Sequence, residues 1–172
     1  MLEVRERHVR GDEAVNAARL LGYAGLIPFA ALPLIELMSD YVSEELLSEG
    51  RLLVLFYGVV ILSFMSGCRW ALRVIDPEQG ALAPFAGFLG AVAPPLIAWV
   101  LVLLPEASER LSLDLWLRFT ILAGLLVVVF LQDLAHRRQG GPLPDWYWHL
   151  RIHLTAGAAG SILLGVLIAA FA

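Results

Sequence analysis

The chain contains no lysine: all twelve of its basic residues are arginine. It has one cysteine, Cys68, so neither an intramolecular disulfide framework nor a cysteine-based zinc site can form. Charge is scarce at 16% of residues, whereas a soluble domain carries about 25%. That deficit argues against a soluble globular protein. Disorder is excluded as well, because the chain is 59% hydrophobic with a net charge of only −4. The pI near 5.5 and the lack of a basic face exclude a nucleic-acid binder. No G-x-S-x-G, H-E-x-x-H or P-loop is present, so no catalytic constellation supports an enzyme. No residue pattern identifies a cofactor.

What is there is long apolar sequence, with a mean hydropathy of +0.77. Five runs stand out: Ala17–Met38, Leu52–Leu72, Ala81–Leu104, Leu113–Ala135 and Leu150–Phe171. Each is long enough, at 1.5 Å per residue, to cross a hydrocarbon core of about 30 Å. None alternates as a barrel strand would, and only helices or closed barrels satisfy their backbone in lipid. The expected fold is therefore an all-α membrane protein, a bundle of five transmembrane helices. Residues 1–16 form a polar segment, in which a short surface helix is expected, and 17–172 form the membrane domain. The first sixteen residues hold no apolar core of a signal peptide.

Arginine placement sets the expected orientation. Arg5, Arg7, Arg10, Arg19, Arg69, Arg73, Arg137, Arg138 and Arg151 fall on one side, against Arg51, Arg110 and Arg118 on the other. The N-terminus is expected in the cytoplasm and the C-terminus outside. The connecting loops are short, so any function sits on the helices or at their ends.

Four features carry functional expectations. The first is proline. Pro28 and Pro33 fall in the first span and Pro94-Pro95, near Gly90, in the third. Proline removes a backbone donor and frees a carbonyl. Both spans are expected to be kinked or broken at mid-depth, the place where transporters often bind solutes. A shift of 62 residues also lays 24–37 on 86–99 with six of fourteen positions identical, which raises an internal repeat.

The second feature is charge near the membrane faces. Arg69 and Asp133 can pair at the inner end, and Glu36 with Arg118 at the outer end, or each can snorkel to the headgroups. The absence of central charges speaks against an ion-coupled pump. The third is the Trp146-Tyr147-Trp148-His149-Leu150-Arg151 segment. It reads either as an aromatic belt or as a lid over an anionic headgroup held by Arg69, Arg73 or Arg151. His149 and His153 share a helix face with no fixed carboxylate or thiol beside them, so no metal site is assigned. The fourth is the Gly157-xxx-Ser161-xxx-Gly165 ladder, which fits either packing within the chain or a homodimer seam.

The motifs Leu21–Phe29, Ser63–Trp70 and Trp146–Arg151 together make the chain resemble an uncharacterised bacterial membrane-protein family, a domain of unknown function, that includes mitochondrial transmembrane protein 69. The resemblance covers about 17–171. It implies a multi-pass protein of an energy-transducing membrane, here the bacterial inner membrane, and it transfers no catalytic residue. The functional expectation is a non-enzymatic protein that binds membrane lipids or another inner-membrane protein through its Arg/Trp-rich face. The alternative is a small-solute carrier or channel with a site between proline-broken spans one and three.

Overall fold

The computed structural model describes residues 2–75, 84–103, 114–140 and 143–171, with backbone alone for 2–10 and Pro84. Arg110, the loop acids Glu106 and Glu109, and the turn residues Gly141 and Pro142 lie outside the described residues. The elements are α1 (Leu2–Ala24), α2 (Ile27–Leu37), a short 3-10 turn (Ser39–Tyr41), α3 (Glu44–Ile75), α4 (Pro84–Leu103), α5 (Leu115–Arg138) and α6 (Asp145–Phe171). Every regular element is helical among the described residues. Five helical segments are long and apolar enough to cross a membrane, the first of them made of the end of α1 together with α2.

The polar segment does not form a separate surface helix. α1 runs without interruption from Leu2 through the start of the apolar run to Ala24. It ends at Gly25-Leu26, just before Pro28, which sits in the first turn of α2 where its missing donor costs nothing. The Tyr57 hydroxyl donates to the Gly25 carbonyl at 2.8 Å, satisfying an acceptor freed by this interruption. The third span behaves differently. α4 continues unbroken from Pro84 to Leu103 with Gly90, Pro94 and Pro95 inside it. The expected break there is corrected to a continuous helix, because a membrane helix can absorb a proline when neighbours shelter the freed carbonyls. The two segments aligned by the 62-residue shift thus differ in backbone, one interrupted and the other not.

The helices close into a ring in the order α2, α6, α5, α4, α3 and back to α2, with α3 also reaching α5. In lipid, helices gain nothing from hiding apolar surface, so association rests on close packing. The α2–α6 seam shows how. A Cβ on Gly157 would stand 2.8 Å from Leu26 Cδ1, and one on Gly165 2.7 Å from Leu32 Cγ. The glycines of the small-residue ladder therefore admit α2 of the same chain, and the face considered for a homodimer is filled from within. Phe29, Leu32, Leu62, Phe119, Leu122 and Ile162 form the centre of the core. The outward faces carry large apolar residues instead, such as Leu53, Phe64 and Leu167, as lipid contact requires.

Gly165→Ala is expected to lower stability by about 1–3 kcal/mol, because Leu32 is fully buried and has no room to yield. Gly160→Ala, which faces open space, should stay within about 0.5 kcal/mol of the parent. Thermal unfolding in a neutral detergent compares them, and equal melting of the two variants would contradict this packing.

Candidate functional site

Three interior stripes converge at one end of the bundle. On α3 the buried positions are Leu47, Val54, Leu55, Gly58, Leu62, Ser66, Arg69 and Arg73. Apart from the adjacent Val54 and Leu55, their spacing of three, four or seven keeps them on one face, so the arginines continue an apolar stripe inward. On α5 the stripe Phe119, Leu122, Leu126, Val129 ends in Asp133 and His136. On α6 it starts at Leu150 and Arg151 and passes to Ala158 and Ile162. Arg69, Asp133 and Arg151 are 5%, 3% and 2% exposed. For Arg69 and Asp133, the snorkelling alternative gives way to burial and pairing.

Asp133 is shared by the two arginines. Arg69 Nη1 donates to Oδ1 at 3.2 Å, and Arg151 Nε donates to Oδ2 at 3.0 Å. Arg151 Nη2 closes a further short contact on Oδ2. The third Arg151 nitrogen, Nη1, donates to the Met65 thioether sulfur at 2.8 Å. A thioether is a weak acceptor, so this donor is poorly satisfied. Among the described residues, Ser66 Oγ and Arg69 Nε have no hydrogen-bond partner, and both are buried. Two positive charges face one negative, which leaves the trio with one excess positive charge.

Arg151 also lines an apolar crevice of about 430 Å³. Its walls come from α1, α2, α3, α5 and α6 and from the Gly25-Leu26 turn, including Gly22, Leu26, Phe64, Leu126, Leu150 and Leu154. Met65, Cys68, Trp146, Tyr147 and Thr155 line it near Arg151. The volume falls within the range of about 300–1,000 Å³ typical of small-ligand sites.

The residues singled out in the sequence part company here. Arg69, Asp133 and Arg151 come together, and Trp146 joins Arg151 at the crevice. Trp148 does not. It stacks on Phe130 with ring centroids 5.2 Å apart, and Arg137 lies over it at 5.0 Å. Arg73 turns toward α4, where its guanidinium packs against Gly87. Gly90 of α4 faces the Gln132 side chain. Pro28 and Pro33 lie in α2, and Pro94 and Pro95 in α4. α2 packs mainly on α6 and α4 mainly on α3, rather than on one another.

The opposite end holds a second ion pair. Arg51 Nε and Nη2 donate to the two Glu36 oxygens, both at 2.8 Å. The guanidinium also lies 5.2 Å from the Trp116 ring. Sequence reasoning, which allowed Glu36 to pair with Arg118 or each to snorkel, missed Arg51, because α3 begins at Glu44 and carries Arg51 inside the helix. Arg118 is buried in the first turn of α5. His149 Nδ1 donates to the Asp145 carbonyl at 2.8 Å, and His153 Nδ1 meets the Tyr23 hydroxyl at 2.8 Å.

Residues 14–167 match the family described as "Protein of unknown function (DUF3429)". The chain belongs to that family. It is similar to transmembrane protein 69 of Xenopus tropicalis, with 30% identity over 153 residues. The match covers 88% of this chain and 54% of that protein, so the chain spans about half the relative's length. No solved structure matches the chain. The relative's name agrees with the membrane-spanning helices, and the family description assigns no role to the shared aspartate.

Asp133→Ala should destabilise the fold by about 3–5 kcal/mol, because it strands two buried guanidiniums. Removing Arg137 from its exposed 2.7 Å pair with Asp145 by Arg137→Ala should cost under about 1 kcal/mol. Unfolding in detergent measures both, and a mild Asp133→Ala would contradict the buried trio.

Proposed function

We propose that this integral membrane protein is a non-enzymatic lipid-binding protein that takes an anionic lipid headgroup at its Arg/Trp-rich end. The observation that carries the reading is the excess positive charge of Arg69 and Arg151 over Asp133, buried where an apolar crevice ends. A guanidinium in a low-dielectric site is a strong hydrogen-bond donor to carboxylate or phosphate. Trp146 and Tyr147 beside it have the amphipathic rings favoured at a membrane interface. Binding at this end can also serve assembly with another membrane protein.

The arginine asymmetry supports a placement with this end in the cytoplasm, the C-terminus outside, and the bacterial inner membrane as the host. The alternative of a small-solute carrier or channel draws on the interruption at Gly25-Leu26. That interruption opens onto the crevice, whose lining favours hydrocarbon over a hydrated solute.

Native mass spectrometry of the protein purified in neutral detergent tests the reading. Arg151→Ala and Arg69→Ala should each cut retention of anionic phospholipid about tenfold, a change of 1.4 kcal/mol. Arg138→Ala, an exposed residue of the same end, should leave it unchanged. Retention unaffected by the two buried arginines would overturn the proposal.

A further inference from the structure

Tyr147, Arg151 and Thr155 are spaced four residues apart on α6, and all three line the crevice. Residues at that spacing share a helix face. They form a short ladder of donors on an otherwise apolar wall. Beyond them the crevice continues along α6 to Ala158. From Trp146 to Ala158 is twelve residues, or about 18 Å at 1.5 Å per residue. A volume of about 430 Å³ gives room for one hydrocarbon chain rather than two.

The head end is prepared for an oxygen. Arg151 Nη1 rests on the Met65 sulfur, which also lines the crevice. A ligand oxygen is a far better acceptor than a thioether, and methionine is flexible enough to move aside. Asp133 keeps the other two Arg151 nitrogens, so the ion pair survives ligand entry. The excess positive charge of the trio favours an anion over a neutral head. With the fork held by Asp133, one nitrogen, Nη1, is left for the head, which a single carboxylate oxygen satisfies.

We propose that the crevice is the site of a single-chain lipid carboxylate, a long-chain fatty acid lying along α6 with its head on Arg151 Nη1 between Tyr147 and Thr155. This rests on the headgroup reading above, which supplies the arginine, and adds the number of chains, the head chemistry and the displaced residue. The head leaves Met65, which turns from a hydrogen-bond acceptor into a wall of the chain site.

The test uses the full chain in neutral detergent and palmitate carrying a photoactivatable diazirine. Labelled peptides should map to the crevice faces of α3 and α6. Unlabelled palmitate should compete about tenfold better than methyl palmitate. Ala18→Trp fills the crevice from α1 and leaves every ion pair intact, and it should abolish labelling. Met65→Leu removes the sulfur from Arg151 and should keep or strengthen labelling. Arg151→Gln should erase the preference for palmitate over its methyl ester. Equal competition by palmitate and methyl palmitate, or undiminished labelling of Ala18→Trp, would overturn the inference. So would stronger competition by lysophosphatidate, which would assign a phosphate head. If anionic phospholipid retention still depends on Arg69 and Arg151 while palmitate fails, this inference falls and the headgroup reading stands. If retention is indifferent to both arginines, the headgroup reading falls, whatever palmitate does.

Discussion

A carboxylate cannot stand bare among hydrocarbon, and neither can a guanidinium. Placing one charge at the centre of a membrane helix costs at least about 2.5–3.5 kcal/mol, and desolvation inside a protein is comparably severe. Asp133 is tolerable in the bundle because Arg69 and Arg151 approach it from two different helices. This makes α3, α5 and α6 mutually dependent at one end: none can rotate without exposing a charge. The remaining helices arrange themselves around that constraint. α4 lays Gly87 against the Arg73 guanidinium, and α2 fits its leucines into the glycines of α6.

Two guanidiniums for one carboxylate is more charge than pairing requires. A buried pair is weak evidence for stability, since apolar residues of similar volume often hold a fold as well or better. The surplus therefore points toward binding. Its position agrees, because Arg151 stands both in the ion cluster and at the crevice wall. The pair at the other end is different in kind. There a single cation is shared by carboxylates: Arg51 forks both oxygens of Glu36 beside Trp116 and meets Glu44 at 3.7 Å as well.

The five spans were legible because each apolar run is about the thickness of a bilayer, and no other structure satisfies its backbone there. The Arg69–Asp133 contact was legible too, since both residues lie about one turn from the same end. What was hidden is the sharing of Asp133 by Arg151, which depends on how α6 is rotated against α5. A signal was nevertheless present: Phe119, Leu122, Leu126, Val129, Asp133 and His136 keep one inward spacing, which marks Asp133 as interior. Trp148 misled because adjacency in a Trp-Tyr-Trp run says nothing of facing; helical geometry sends it to Phe130 and Trp146 to the crevice. Pro94 and Pro95 misled because a proline pair frees carbonyls without having to end a helix already held by its neighbours. The crevice itself has no sequence signature, as it arises from five helices spread along the chain.

The central claim is that the buried trio is kept for a ligand and not for the fold. The direct measurement is the triple replacement Arg69→Leu, Asp133→Leu and Arg151→Leu, examined for both melting temperature and bound anionic lipid in one neutral-detergent preparation. The account predicts a protein at least as stable as the parent that has lost its preference for anionic over neutral lipid. A triple variant that unfolds as readily as Asp133→Ala, or one that keeps the anionic preference, would contradict it.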